Sequence, residues 1–142
     1  SLDRKCAYTV LEATHRQPVE DRHVYIAPGD RHLLIRSGEN GPATVINRQP
    51  PESGSRPSAD VLFRSAATVF GPRLVALILT GMGSDGTKGA AAIKRAGGRV
   101  IAQDNATAVV WGMPGSAAAA GHVDAVLPLD RIAKAVVRLA GG

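Results

Sequence analysis

The chain has 142 residues, of which 44% are hydrophobic and 20% charged, and its formal net charge is +5. This length and balance predict one soluble globular domain and exclude an intrinsically disordered chain. The 17 basic residues are scattered and only 4% of residues are aromatic, which argues against a nucleic-acid surface. The longest apolar runs fall short of the roughly 20 residues of a membrane helix, so we expect no membrane insertion.

The single cysteine and the first residues predict the compartment of the chain and where it begins. Cys6 cannot form an internal disulfide, which favours the reducing cytoplasm. The first residues include no initiator Met and no signal-peptide pattern, and they resemble the middle of a helix. We therefore expect a cytoplasmic chain that is truncated at its N-terminus.

Short β-prone runs dominate the first third of the chain. Residues 1–12 are predicted as the end of a helix followed by an extended piece around 8–11. From residue 23 onward, apolar runs are separated by turn residues, which predicts a hairpin or small meander over 22–48. Residues 48–57 contain three prolines and predict a surface loop.

Helices and strands alternate in the rest of the chain. Pro57 and Ser58 open a helix that Gly71-Pro72 closes. The run LVALILT at 74–80 predicts a strand that is covered on both faces, at the centre of a parallel sheet. The elements predicted after it are a helix over about 87–96, a strand over 99–103, a helix within 106–120 broken at Gly112-Met113-Pro114, a strand over 123–127 and a helix over 128–139.

This order predicts an α/β fold, a three-layer, doubly wound, mostly parallel sheet with an antiparallel β-hairpin insertion. We expect one partial domain over residues 1–142, with a hairpin region over 22–48 and a βαβ core over 57–142. Sites in such sheets lie outside the carboxyl ends of the strands. The turn after LVALILT is therefore where chemistry is expected.

That turn, GMGSDG, is compatible with more than one function. It satisfies G-x-G-x-x-G, and Asp104 follows the next strand, so a dinucleotide-binding domain is one alternative. Against this, Asp85 would place a negative charge beside the pyrophosphate. Asp85 could also cap the following helix, or it could orient an imidazole that activates a serine. The residue types alone leave these roles open.

Four segments decide between them through a resemblance. LILTGMGSDGTKGAAAIKRAGG, QDNATAVVWGMP, VYIAPGDRHLLI and RPSADVLFRSAA are similar to signature segments of chemotaxis protein-glutamate methylesterases of the CheB type, in the C-terminal part of their catalytic domain. The resemblance implies that Asp85 is the acidic member of a Ser-His-Asp triad. It also implies that the backbone at Thr80, Gly81, Met82 and Gly83 shapes the oxyanion side of the cleft.

The same resemblance gives three substrate-cleft candidates, Arg56, Ser58 and Met113. Helix capping is an equal alternative for the segment that holds Arg56, Ser58 and Asp60, and an apolar contact beneath the cleft is the alternative for Met113. The family's serine lies in a GxSTGG turn and its histidine in a QHMP segment, and neither motif occurs in this chain. Asn105 stands where the family usually has an acidic residue.

The resemblance implies an enzyme that hydrolyses glutamate γ-methyl esters on chemoreceptors and also deamidates receptor glutamines. The expected partners are the cytoplasmic helices of methylated receptors, together with a second copy of the chain or the missing N-terminal segment. We expect no cofactor and no metal, because the four histidines do not fit zinc spacings and are interpreted as structural or surface residues. Without serine and histidine, the chain alone is expected to be inactive, and a non-catalytic interaction module is a further alternative.

Overall fold

The computed structural model describes residues 7–140 as a mixed α/β fold. None of its helices is long and apolar enough to cross a membrane. The strands are β1 (Thr9–Glu12), β2 (His23–Ile26), β3 (His32–Gly38), β4 (Gly41–Asn47), β5 (Val75–Ile78), β6 (Arg99–Gln103) and β7 (Ala125–Leu127). The helices are α1 (Ala59–Phe70), α2 (Thr87–Arg95), α3 (Gly112–Ala119) and α4 (Leu129–Leu139), with a 3₁₀ turn at Gly71–Arg73.

The main sheet has the order β5-β6-β7, and both strand pairs are parallel. Each crossover carries a helix, α2 between β5 and β6 and α3 between β6 and β7. In a parallel sheet the carboxyl ends of neighbouring strands meet at one edge. The loops that follow β5 and β6, 79–86 and 104–111, therefore lie side by side.

Small aliphatic side chains build the core on one face of this sheet. Ala76 and Ile78 of β5 pack with Ile93 of α2 and Ala117 of α3, and all four are at most 5% exposed. Successive strand residues point to opposite faces, so Leu77 lies on the other face, where it is 36% exposed. The alanine-rich composition thus allows helices to approach the sheet closely on the buried face.

Two smaller strand pairs precede the main sheet. β1 and β2 pair in parallel, whereas β3 and β4 form the antiparallel hairpin, joined by a turn in which Gly41 has φ +106°. β3 packs on α1, and the backbone N–H of Ile35 donates to the hydroxyl of Ser65. The hairpin thus spans 32–47, and β2 belongs to a separate parallel pair instead of to a meander.

Some predicted elements differ from those observed. β5 has only one neighbouring strand in the described part of the chain, so it is not central there, and Leu77 is not fully covered. Gly112-Met113-Pro114 begins α3 instead of breaking a helix. Proline is tolerated there because the N–H groups of a helix's first turn have no intrahelical acceptor. The helix end predicted before the extended piece at 8–11 falls mainly on residues 1–6, which lie outside the described residues.

Candidate active site

Asp85 lies in the loop after β5, at the carboxyl edge of the sheet. It is only 7% exposed, yet it lines a cavity of about 340 Å³ between α1, α3 and the segment before β3. Ser58 and Met113 line the same cavity. The structure thus brings together the predicted triad aspartate and two of the three predicted cleft residues.

Three hydrogen bonds hold the carboxylate of Asp85. Its Oδ1 accepts from the hydroxyl of Ser58 at 2.8 Å and from the backbone N–H of Asp60 at 2.9 Å. Its Oδ2 accepts from the backbone N–H of Ala59 at 2.7 Å. Asp85 therefore caps α1 from a distant loop, where the positive end of the helix dipole stabilises a negative charge.

This arrangement leaves acceptor capacity on one oxygen. A carboxylate has about four lone-pair sites, two on each oxygen. Oδ1 of Asp85 uses both of its sites, whereas Oδ2 has one partner among the described residues. Oδ2 therefore keeps the capacity to accept one further N–H donor.

The loop at Thr80 and Gly81 is tied to the loop that follows β6. The Thr80 hydroxyl donates to the carbonyl of Val110 and accepts from its N–H, while the N–H of Gly81 donates to the same carbonyl. The carbonyl of Gly81 accepts from the N–H of Met113 at 2.8 Å. A Cβ added at Gly112 would lie 2.9 Å from both Gly81 O and Gly83 N, so this close contact requires glycine.

Beyond this attachment the backbone presents unused donors. Within residues 7–140, the N–H groups of Met82 and Gly83 donate to no protein acceptor. Gly83 has φ +85°, a left-handed conformation that glycine adopts readily, and the Met82 side chain is 81% exposed. Free N–H groups on a fixed loop are the donors that an oxyanion requires.

Arg56, the third predicted cleft residue, lies outside the lining of this cavity. Its guanidinium donates to Asp30 at 2.8 and 3.0 Å and to the carbonyls of Arg48 and Gln49. Hydrogen bonding to Arg56, assisted by its charge, holds the pKa of Asp30 below its ordinary value of 3.8. The guanidinium thus fixes the loop before α1 and has few donors left for a ligand.

His32 lies close to Ser58 and Asp85 without forming a triad with them. It is 1% exposed, its Nδ1 accepts from the backbone N–H of Ser58, and its Nε2 contacts the carbonyl of Pro50 at 2.9 Å. The Ser58 hydroxyl donates directly to the carboxylate of Asp85. A triad needs serine to donate to histidine and histidine to aspartate, so the order of contacts is wrong for nucleophile activation.

Sequence reasoning missed the roles that two polar residues near the site have in the structure. Gln103, 2% exposed, accepts from the N–H of Thr80 and donates to Thr107, and so fixes the end of β5. Asp60 was assigned a capping or cleft role through its own helix, but it binds the first turn of α2. An aspartate early in a helix was the only sequence signal, and it does not identify the partner.

Among the described residues, no cluster of three His, Cys, Asp or Glu side chains could hold an ion. Asp104, the ribose-binding candidate in the dinucleotide alternative, has one carboxylate oxygen bound to the N–H and hydroxyl of Thr107. Its observed role is to stabilise the turn after β6.

Comparison with known proteins decides which family this geometry represents. The family model described as CheB methylesterase matches residues 1–136. The chain belongs to the CheB methylesterase family. The family's fold is seen directly in the crystal structure of the Thermotoga maritima CheB methylesterase catalytic domain, which matches with a TM-score of 0.87 and 40% identity. That match covers 90% of this chain and 68% of the Thermotoga chain.

Curated relatives in the CheB family agree in name. A protein-glutamate methylesterase/protein-glutamine glutaminase of Nocardioides sp. is 51% identical over 137 residues, 96% of this chain. One from Rhodospirillum rubrum is 46% identical over 139 residues, 98% of this chain. The chain spans 37% and 36% of the lengths of these two relatives.

Proposed function

We propose that this chain forms the acidic and oxyanion-stabilising part of a protein-glutamate methylesterase and glutaminase active site. The observation that supports this most directly is the carboxylate of Asp85, which faces a cavity, is held by three donors and keeps one acceptor site on Oδ2. An imidazole N–H is the donor that this site suits. Asp85 would then hold the imidazole in the tautomer that accepts a proton from serine.

The proposed reaction needs a serine and a histidine from polypeptide outside this chain. Serine attacks the γ-carbonyl of a methylated glutamate while histidine takes its proton, and the oxyanion forms beside the N–H groups of Met82 and Gly83. Methanol leaves as histidine returns the proton. Water then hydrolyses the acyl-enzyme to glutamate, and with glutamine as the substrate the leaving group is ammonia.

The proposed substrates are the cytoplasmic helices of methylated chemoreceptors, which places the reaction in the cytoplasm. Ser58 and Met113 border the cavity that would receive the glutamyl side chain. The net charge of +5 favours encounter with an acidic partner without specifying one. Neither step of the reaction requires a cofactor or a metal.

The test is methanol release from methylated receptor by the full-length protein and its Asp85→Asn variant. We expect kcat to fall by about 10³–10⁴-fold, the scale seen when an amide replaces the triad carboxylate. Asp104→Asn is the matched control, because that carboxylate lies at the same sheet edge but is bound to Thr107, and it should keep nearly full activity. Full activity in Asp85→Asn would contradict the proposal.

The chain alone should not react as a serine hydrolase. GxSTGG and QHMP do not occur in it, so we expect no stoichiometric labelling of the 142-residue chain by a fluorophosphonate. The residual effect of binding and oxyanion contacts is too weak to activate an ordinary serine. One covalent label per chain would show that a serine within this chain is activated.

We also propose that the polypeptide supplying serine and histidine covers the β1–β2 pair. Tyr8, Val10, Val24 and Ile26 are between 43% and 63% exposed there. The chain matches only 68% of the Thermotoga domain, so that domain contains further polypeptide able to cover such a face. Exposed apolar strands self-associate, so the isolated chain should oligomerise, and a monodisperse monomer in light scattering would contradict this.

A further inference from the structure

Asp60 is a second buried carboxylate beside the site, and it has no part in the triad. It is 0% exposed, and no ion pair includes it within the described residues. Its Oδ1 accepts from the N–H groups of Gly86 and Gly89 at 3.0 and 2.7 Å, and its Oδ2 accepts from the Ser53 hydroxyl at 2.6 Å. Burying a carboxylate that forms no ion pair is unfavourable, so these hydrogen bonds must compensate.

The two aspartates exchange helix caps. Gly86 is the N-cap residue of α2 and has no side chain to bind that helix's free N–H groups, so Asp60 provides the oxygen from α1. In return Asp85, next to Gly86, accepts from the backbone N–H groups of Ala59 and Asp60 in the first turn of α1. Asp60 therefore fixes the start of α2, next to which Asp85 lies, and Asp85 fixes the start of α1, which carries Asp60.

Close contact between the helices makes this exchange possible. A Cβ on Gly89 would lie 2.6 Å from Phe63 Cβ and 3.0 Å from Asp60 Cα. Only glycine lets α1 approach the start of α2 closely enough for one carboxylate oxygen to bind two of its N–H groups.

We propose that Asp60 is a positioning residue that fixes the orientation of the Asp85 carboxylate; this inference rests on the proposed function. Asp85 lies in a turn between two glycines with positive φ, Gly83 and Gly86, and such a turn is flexible by itself. Asp60 anchors the turn at its junction with α2 and, through its own N–H, at Oδ1 of Asp85. It acts on catalysis only through Asp85 and touches no substrate.

The first arm of the test measures amide hydrogen exchange by NMR in the 142-residue chain and in Asp60→Ala. This substitution keeps the N–H of residue 60, so a weaker bond to Asp85 reports the position of the carboxylate and not a missing donor. We expect the amides of Ala59 and residue 60 to exchange about tenfold faster or more, relative to amides of β6. Faster exchange at Gly86 and Gly89 alone would overturn the inference, because Asp60 would then cap only α2.

Two further variants make this arm decisive. Asp60→Asn keeps an oxygen for the two glycine amides and should restore the exchange of Ala59 to within about threefold of the original chain. If Asp60→Ala does not fold, Asp60→Ser provides the same comparison, because its side chain is shorter than that of aspartate. Failure of Asp60→Asn to restore Ala59 in a folded protein would also overturn the inference.

The second arm measures methyl-ester hydrolysis by the full-length protein. Asp60→Ala should lower kcat about 100-fold at nearly unchanged KM, the scale expected for a misplaced catalytic group, and Asp60→Asn should recover most of it. Asp124→Asn is the control: this carboxylate binds Lys94 and the N–H of Val100 near the opposite end of β6, so its loss lowers stability without changing kcat.

The two arms separate the two claims. If the unsubstituted full-length protein has no esterase activity, the proposed function fails, and hydrogen exchange in the 142-residue chain still decides whether Asp60 orients Asp85. If that protein is active and Asp60→Ala keeps its kcat, the proposed function stands and the positioning role is refuted.

Discussion

Gly89→Ala is the substitution that most directly tests the contact between α1 and α2. In an exposed helix this change is stabilising by about 1 kcal/mol, because alanine is the better helix former. Here the added Cβ would lie 2.6 Å from Phe63 Cβ and 3.0 Å from Asp60 Cα, well inside the favourable carbon–carbon separation of about 3.5–4.0 Å. Both atoms lie on or next to the backbone, so a side-chain rotation cannot relieve the contact.

The magnitude follows from three contributions. Overpacking is destabilising by about 1–3 kcal/mol, and the gain in helix propensity of about 1 kcal/mol offsets part of it. As α1 moves away, Asp60 loses at least one hydrogen bond from Gly86 or Gly89, each stabilising by about 1.5–3 kcal/mol because the acceptor is charged. We therefore expect the free energy of unfolding to fall by about 1.5–5 kcal/mol, which lowers Tm by roughly 5–20 °C at about 3–4 °C per kcal/mol.

Thermal and urea unfolding followed by circular dichroism provide the measurement. Gly29→Ala is the matched control, because a Cβ there would meet nothing within 4 Å and its φ lies outside the left-handed region. That variant should be unchanged or slightly more stable, by up to about 1 kcal/mol. If Gly89→Ala is as stable as the unsubstituted chain, the helices are not packed as closely as described and the cap exchange loses its basis.

Two further predictions concern pH and the loop beside the cavity. Hydrogen bonding to Arg64 lowers the pKa of Glu52 from its ordinary value of 4.5, so the pair contributes stability above that pH and loses it as the pH falls through the lower folded value. The difference between the urea midpoints at neutral and at acid pH should be smaller in Glu52→Gln than in the unsubstituted chain. An equal difference in the two proteins would exclude this contribution. Gly112→Ala should destabilise the chain by about 1–3 kcal/mol, because the added Cβ lies 2.9 Å from Gly81 O and Gly83 N. Its NMR shifts should change at Gly81 and Gly83, and unmoved shifts there would count against the contact.

Sequence patterns predicted correctly those elements whose ends are set by neighbouring residues, such as glycines and apolar runs. β6 was predicted at 99–103 and is observed at Arg99–Gln103, because Gly97-Gly98 ends α2 and the apolar run begins at once. The predictions that β5 is central in its sheet and that β2 belongs to a hairpin or meander were wrong for the described part of the chain, where β5 has one neighbour and β2 pairs with β1. Strand partners are chosen by packing between distant segments, which the periodicity of one run does not encode.

The site shows the same division between local and distant information. The resemblance gave Asp85 as the candidate triad aspartate, and its place after an apolar strand predicted its position at the sheet edge. The role of Asp60 was missed because its carboxylate binds Gly86 and Gly89, 26 and 29 residues away, whereas an aspartate in a first turn normally indicates a local cap. Arg56 was expected near the cleft, but its donors are used by Asp30 and nearby carbonyls.

The glycine-rich turn that follows β5 meets two opposing requirements. In the proposed function its backbone must expose N–H groups, which favours glycine and leaves the turn flexible, yet the proposed triad carboxylate must be held in a narrow range of orientations. The cap exchange meets both requirements, because the groups that bind and order the turn belong to α1 and not to the turn itself. Rigidity comes from the starts of two packed helices through Asp60 and Asp85, while Met82 and Gly83 keep their N–H groups unused within the described part of the chain. Substitutions that separate α1 from α2 should therefore disturb Asp85 before they disturb the sheet beneath it.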